Sequence, residues 1–580
     1  MPFPMSVPPA GTNGTSTIIP VRGLAEKGIL RDPSPYQLDT NAWSGGANVR
    51  IHANKVQRAP VFRSVYGPLP QEPAFVVGYE PTTGFDIVFV AGADGSIYSY
   101  RSGVLTNVTP STGYTLATDP RSFTATFLGD VLYLNRPNQA PIYYGPESAA
   151  FTVMPNQETT WTCRSLRAFG DFLIALNVTK PATFVDPFTG NTLAGGNFPN
   201  MVKWSNLTLD GQVPDSWDPD DPTKSTGENP LAQLSTPLVD GCVMRQMMVL
   251  YSEVSVWGMV LSGDNNIFAF QELFSDGGLI APNCAVEVAG VHYCFGPNDI
   301  YRHDGVTKQS IVDKRNRETI FRHLNVTKSE VCFAAYLPQF DSVIFGFNSG
   351  DPNAFFPTST PASTGCDLCN VGAVYDLKGD TWSFIDLPNV GAFTLANLDM
   401  TLTYASPATA TSVGATVSYA NVGGSYYSQD NGFVKSGVAI AGAVSGLVNA
   451  HYLLAYDFMN NGLLSFPYQA DCNAPAFIER VGIDLDTLGS DLTTSKKIRR
   501  IYPLVFSYDP AIPVQILMGG AMYPSQPPRY LAPITFNPTT QYKVDGIIAG
   551  RYLAIRFTVN GAADFEVAGF DLDVSNNGRR

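Results

Sequence analysis

Cys366 and Cys369 form the cysteine pair in this chain closest to a metal or redox motif. Two thiolates at Cys-x-x-Cys spacing can hold half of a tetrahedral zinc or cycle as a dithiol. A structural zinc needs two further ligands at comparable spacing. The neighbouring sequence lacks them, and Gly- and Asp-containing turns flank the pair, so it reads as an ordinary loop. Asp215, Asp218, Asp220 and Asp221 offer enough carboxylates for calcium, a hard cation that takes oxygen ligands. Pro219 and Pro222 interrupt them, and no EF-hand glycine or closing Glu follows, so a solvated loop is the plainer reading. His52, His292, His303, His323 and His451 lack metal-type spacing, and the chain has neither a Gly-x-Ser-x-Gly elbow nor a phosphate-cradling Gly-x-x-x-x-Gly-Lys. A Ser-His-Asp site assembled from distant segments would leave no trace in sequence. The expectation is a protein that is not an enzyme, with no catalytic residue, cofactor or metal.

Two further groups have a bland and a sharper reading. Asp376 to Trp382, DLKGDTW, is similar to the kelch blade element and more distantly to the Asp-box of sialidases, but it occurs once. Lys496, Lys497, Arg499 and Arg500 open a strand; they read as a solvated edge that deters strand addition, with a subunit or partner contact as the alternative. Cys163, Cys242, Cys284, Cys294, Cys332 and Cys472 join the Cys366 and Cys369 pair to make eight. They form no dense framework and read as reduced core thiols. Asn107-Val-Thr and Asn325-Val-Thr read as chance triplets in a Thr-rich β protein.

The elements that carry these residues are strands. Phe75 to Pro110 reads as one four-stranded antiparallel unit: Phe75 to Tyr79, Asp86 to Val90, Ser96 to Tyr100 and Val104 to Val108. Asp94-Gly95 supplies two positive-φ positions for a tight hairpin. Ile87 to Val90 is apolar on both faces, as a strand must be when sheets pack above and below it. Similar hairpins recur about every 40 residues: around Gly129-Asp130, around Gly170-Asp171, in Gly241 to Trp257, Ala285 to Tyr301, Cys332 to Phe347 and Val374 to Leu387, with Ala415 to Gln429 closing the series. Sheets stacked in series are the blades of a propeller, here six to eight.

Composition agrees with an all-β chain. Hydrophobic residues make up 44% and charged residues only 15%, and no helical heptad appears. The 52 Gly and 44 Pro are too few for low complexity, whose threshold is about 25%. A net charge of -14 argues against wrapping nucleic acid through phosphate neutralisation. The first residues have no basic or apolar signal region, and no apolar run reaches the roughly 18 residues of a membrane span.

In order, 1–60 is an N-terminal arm and entry segment without helix, its first 20 residues ordered only against a partner. A β-propeller follows over 61–430, with a loop-rich portion at 177–240. An insertion or connector with room for one helix occupies 431–475. Residues 476–580 form a separate β-sandwich platform domain, in which Arg551 to Phe557 alternates so that both faces can bind neighbouring subunits.

Several stretches resemble a family of short-tailed phage virion proteins, the tail nozzle or packaged-DNA stabilisation proteins. They are RGLAEKGILRDPSPYQLDTNAWSGGANVRI, then WSNL with PDSWDP, GCVMRQMMVLYSEVSVWGM and HYCFGPNDIYRHDG, and finally IRRIYPLV, GRYLAIRF and GFDLDVSNNGRR. The resemblance covers nearly the whole chain in order, except 431–475 and the loop from Asn348 to Asp367. It implies a propeller with a β platform, arranged as a homohexamer at the distal end of a virion tail assembled in the host cytoplasm. The implied partners are the head-to-tail adaptor ring and tail fibres, spikes or a tip protein, with DNA passing transiently and non-specifically. It carries over no catalytic residue. The competing class is a propeller that binds or cleaves host surface glycan; the acidic balance and the unrepeated Asp-box favour the structural class.

Overall fold

The computed structural model describes residues 16–579 apart from 67–68, 83–85, 102, 117–121, 264–266, 357–366, 399–433, 444–450, 458–474, 486–493, 508–512 and 561–564. The chain is all-β, with one described α-helix, Arg317–His323. No helix among the described residues is long and apolar enough to cross a membrane. Among the described residues, seven four-stranded antiparallel sheets follow one another along the chain. The first is Pro73–Tyr79, Ile87–Gly92, Ile97–Arg101 and Val104–Asn107. The next five begin at Thr124, Thr162, Leu238, Ala285 and Phe333, each taking its strands in sequence order. The seventh takes Phe393–Leu398, Val434–Ala443 and His451–Asp457, and its fourth strand is Val61–Tyr66, from before the first sheet.

Both-sided apolarity has a direct cause. Val88 and Val90 pack with Ala396 and Leu453 of the seventh sheet, whereas Phe89 and Ala91 pack with Leu132 and Leu134 of the second. Successive side chains of a strand point to opposite faces, so a strand between two sheets needs apolar residues at every position. The pattern repeats. Tyr133 faces Leu173 while Ile174 faces Leu250, so the second, third and fourth sheets share layers. Fourth, fifth and sixth share another through Tyr251, Phe295 and Phe345, and sixth and seventh meet through Ile344 and Leu454.

Two six-stranded sheets hold the remaining described strands. One runs Val49–His52, Lys55–Arg58, Phe565–Arg579, Thr494–Ser507, Val544–Gly550, with Thr17–Arg22 also paired to Phe565–Arg579. The other runs Gly45–Ala47, Ala476–Ile483, Tyr552–Val559, Val514–Ala521, Arg529–Tyr530, with Ile534–Phe536 paired to Val514–Ala521. They share one apolar cluster, in which the rings of Phe557 and Phe570 lie 5.8 Å apart.

Several expectations need correction. The stretch 431–475, read as an insertion with room for a helix, supplies two strands of the seventh sheet, while Ala415 to Gln429 lies outside the described residues. Within 177–240 two long strands, Phe172–Val185 and Thr192–Trp204, form a hairpin where loop was expected. In the arm, residues 1–15 are outside the description, but Thr17–Arg22 is ordered against this chain's own last strand. The region read as a sandwich over 476–580 draws strands from elsewhere, since strands between Thr17 and Arg58 lie in both six-stranded sheets. Only Gly95 of the Asp94-Gly95 pair has positive φ; Asp94 Oδ1 instead accepts from the Ser96 amide at 2.9 Å, and a Cβ on Gly95 would collide with Arg136. The Lys496 to Arg500 group is not on an edge, because Thr494–Ser507 lies between two strands; Lys496 is fully buried and Arg500 pairs with Asp545 at 2.7 Å. Tyr552–Val559 is interior too. Its Arg556 pairs with Glu479 at 2.9 Å and stacks over Phe477 and Tyr530.

Candidate functional site

First strands of neighbouring sheets lie side by side, and charged pairs join some of them. Arg167, on the first strand of the third sheet, donates from Nε and Nη2 to the two carboxylate oxygens of Asp240 on the fourth, at 2.8 and 2.6 Å. The same guanidinium reaches Ala125 O of the second sheet and Asn283 Oδ1, just before the fifth, both at 2.8 Å. Asn283 closes the network by donating from its amide to Asp240 Oδ2 at 2.8 Å and from Nδ2 to Phe123 O at 2.7 Å. Ser165 also hydrogen-bonds Asp240. Burial alone would raise the Asp240 pKa, but Arg167 outweighs it and holds the carboxylate below its usual range. Arg164 of the third sheet pairs with Glu330, just before the sixth, at 2.8 Å. Ala74, Phe75, Phe123, Asn283, Cys332 and Phe333 bound a cavity of about 10 Å³, room for about one water. This network is a tie between sheets, with its fixed charge already engaged.

A second polar group lies between the fourth and fifth sheets. His292 and His303 are direct cross-strand partners, and both reach Tyr251 Oη, through Nδ1 at 2.6 Å and Nε2 at 2.7 Å. Cys294 Sγ lies 3.5 Å from the same hydroxyl. Burial depresses His292 to about 4 and His303 to about 3, so both rings are neutral near pH 7. The spacing rule for helical or loop ligands passed over them. The hairpin register of HYCFGPNDIYRH is the signal that places position 292 opposite 303.

The third sheet carries two more charged clusters. Lys203, with no exposure, lies 2.9 Å from Glu158 and 3.2 Å from Glu228, and Lys180 lies 3.5 and 2.7 Å from the same carboxylates. Two cations and two anions balance. Of the sequence-selected aspartates, Asp215 pairs with Lys224 at 2.6 Å and Asp221 caps Thr223 at 2.9 Å. Asp218 and Asp220 instead approach Asp186, a residue that sequence reasoning missed because it lies on another segment.

The cysteines are free at Cys163, Cys242, Cys284, Cys294, Cys332 and Cys369, and burial pushes the Cys294 and Cys332 thiols up to about 12. Such thiols are poor nucleophiles. Cys366 and Cys472 lie outside the described residues, and Cys369 donates to Val331 O at 3.1 Å. The DLKGDTW stretch is the turn before Thr381–Val390, where Trp382 Nε1 donates to Ile311 O at 3.0 Å.

One segment ties the sheet groups together. Arg31 donates to Ala354 O and Gly46 O at 2.9 Å and to Phe355 O at 3.1 Å, and its guanidinium lies 4.6 Å from the centre of the Phe384 ring. Asp32 caps the helix Arg317–His323, accepting from the amides of Glu318 and Thr319 at 2.9 Å. Arg480 donates to Pro35 O and Leu38 O at 2.9 and 2.7 Å. Gly46 and Arg480 belong to a six-stranded sheet and Phe384 to the sixth four-stranded one, so 31–39 bridges the two groups. Neither known protein-family models nor the curated proteins include a match to this chain.

Proposed function

We propose that the seven four-stranded sheets are the blades of a closed propeller and the two six-stranded sheets a β-sandwich platform. In this reading the chain is a structural protein of a short phage tail. It forms the distal nozzle ring, retains packaged DNA, conducts it on ejection, and holds fibres, spikes or a tip protein outside. Shared layers from each sheet to the next, including seventh to first, support the propeller. Completion of the seventh sheet by Val61–Tyr66 supports closure, because it joins the two ends of the sheet series by hydrogen bonds. The observation that carries the assignment is where the nozzle-like residues fall. RGLAEKGILRDPSPYQLDT is the bridge between the sheet groups, and GRYLAIRF and GFDLDV are inner strands of the platform. A nozzle must transmit load between those parts.

The engaged state of Arg167 and Asp240 also favours a structural role over glycan cleavage, in which a convergent carboxylate would be left open to substrate. Six copies of a chain at -14 would carry about -84 charges. Such a ring repels phosphate, as a conduit through which DNA slides requires, whereas a basic lining would hold it with salt-dependent affinity. Counting copies per particle by quantitative mass spectrometry tests the reading: about six, co-purifying with the adaptor, is the expected result. Absence from particles, or about three copies in a detachable spike, would overturn it.

A further inference from the structure

We propose that Asp186, Asp218 and Asp220 bind a divalent cation of the calcium class. One carboxylate oxygen from each lies within 4.8 Å of the others. Asp186 sits in the turn of the hairpin Phe172–Val185 and Thr192–Trp204, while Asp218 and Asp220 lie on the loop between Trp204 and Gly227. Register shifts at Leu176/Val178 and Lys180/Thr183 bend the hairpin, consistent with its turn meeting that loop.

The hydrogen bonds leave one valence open. Asp186 Oδ1 accepts the amides of Phe188 at 2.7 Å and Thr189 at 3.1 Å, and Asp218 Oδ1 accepts that of Asp220 at 3.0 Å. Among the described residues Asp186 Oδ2 finds no hydrogen-bond donor, although Asp186 is only 1% exposed. A buried carboxylate oxygen without a donor is costly unless a cation or proton meets it. Protein cations nearby are engaged elsewhere: Lys180 and Lys203 with Glu158 and Glu228, and Lys224 with Asp215. Among the described residues, none of the three carboxylates forms an ion pair. Three carboxylates from two separate segments suit calcium, which accepts irregular shells of six to eight oxygens. Magnesium holds its waters and demands a regular octahedron. A bound ion would pin the hairpin turn to the loop. The proposal is independent of the tail reading.

The test uses the full chain, stripped with chelator. Terbium is added as a luminescent calcium mimic, with excitation through tryptophan, since Trp217 adjoins Asp218. We expect saturable luminescence displaced by calcium but only weakly by magnesium. Calcium should also raise the melting temperature; at about 100 times Kd the folded-to-unfolded ratio rises about 100-fold. Both effects should vanish in Asp186→Asn and in the exposed-site variant Asp220→Asn, and persist in Asp215→Asn. A melting temperature indifferent to calcium, or luminescence unchanged by Asp186→Asn and Asp220→Asn, overturns the proposal. Stabilisation of the chelated protein by Asp220→Asn, with no calcium effect on the parent, would show that a shared proton fills the gap.

Discussion

The seven four-stranded sheets and the two six-stranded sheets bury apolar faces by opposite uses of the chain. In the first group each sheet is made of consecutive strands, and only Val61–Tyr66 comes from afar. In the second, Thr17–Arg22 pairs with Phe565–Arg579 across almost the full length of the chain. Local pairing costs little loop-closure entropy, whereas end-to-end pairing must await the folding of everything between. The first group is thus held mainly by local pairing and the second by pairing between the chain's two ends, with the segment around Arg31 joining them.

The largest effect that sharpens this contrast lies inside the array. Val88, 2% exposed, sits in the dry layer between the first and seventh sheets, and Val88→Asp should cost about 4 kcal/mol or more. Val104→Asp, at a site 62% exposed on the outer strand of the same sheet, should stay within about 0.5 kcal/mol of the parent. Equal denaturation midpoints for the two would dismantle the layered account.

Next comes the tie between sheets. Arg167→Met leaves Asp240 buried and unpaired and should cost about 3 to 5 kcal/mol, part of it recovered by also replacing Asp240 with Leu. Additive effects of the two substitutions would mean the pair is not a unit.

The bridge should give a smaller but wider response. Arg31→Ala removes three hydrogen bonds to carbonyls and the stacking on Phe384, about 2 to 3 kcal/mol. Amide exchange should then rise both in the six-stranded sheets and around Thr381–Val390. A rise on one side alone would deny Arg31 its bridging role.

Acid perturbs the layers without any substitution. The folded pKa values of His292 and His303, about 4 and about 3, lie below the ordinary 6.5. Below 6.5 the unfolded chain takes up protons that the folded chain refuses, so this contribution is complete above 6.5 and lost as pH falls through 4 toward 3. The slope is about 1.4 kcal/mol per pH unit per ring. Replacing both rings with Gln should flatten the stability profile between pH 6 and 4 relative to the parent.

Legibility in the sequence followed the same division. Gly129-Asp130 and Gly170-Asp171 were readable as turns because their hairpins are local and the strands that follow them open with runs buried on both faces. Val434–Ala443, rich in Ala and Gly, carries no such signal; only pairing to Phe393–Leu398 and His451–Asp457 makes it a strand. Val61–Tyr66 and Thr17–Arg22 were hidden for another reason, since their partners lie hundreds of residues away. The same limit concealed Asp186, whose two companions Asp218 and Asp220 were conspicuous. Arg167 and Asp240 were invisible as a pair, because nothing local marks a salt bridge between neighbouring sheets.

The most direct test of the account is electron microscopy of the purified protein and of particles carrying it. Six-fold rings at the distal end of a short tail are expected, with Asp and Glu outnumbering Lys and Arg on the channel wall. Three-fold spikes, isolated monomers on the particle surface, or a channel lined mainly by Lys and Arg would contradict it.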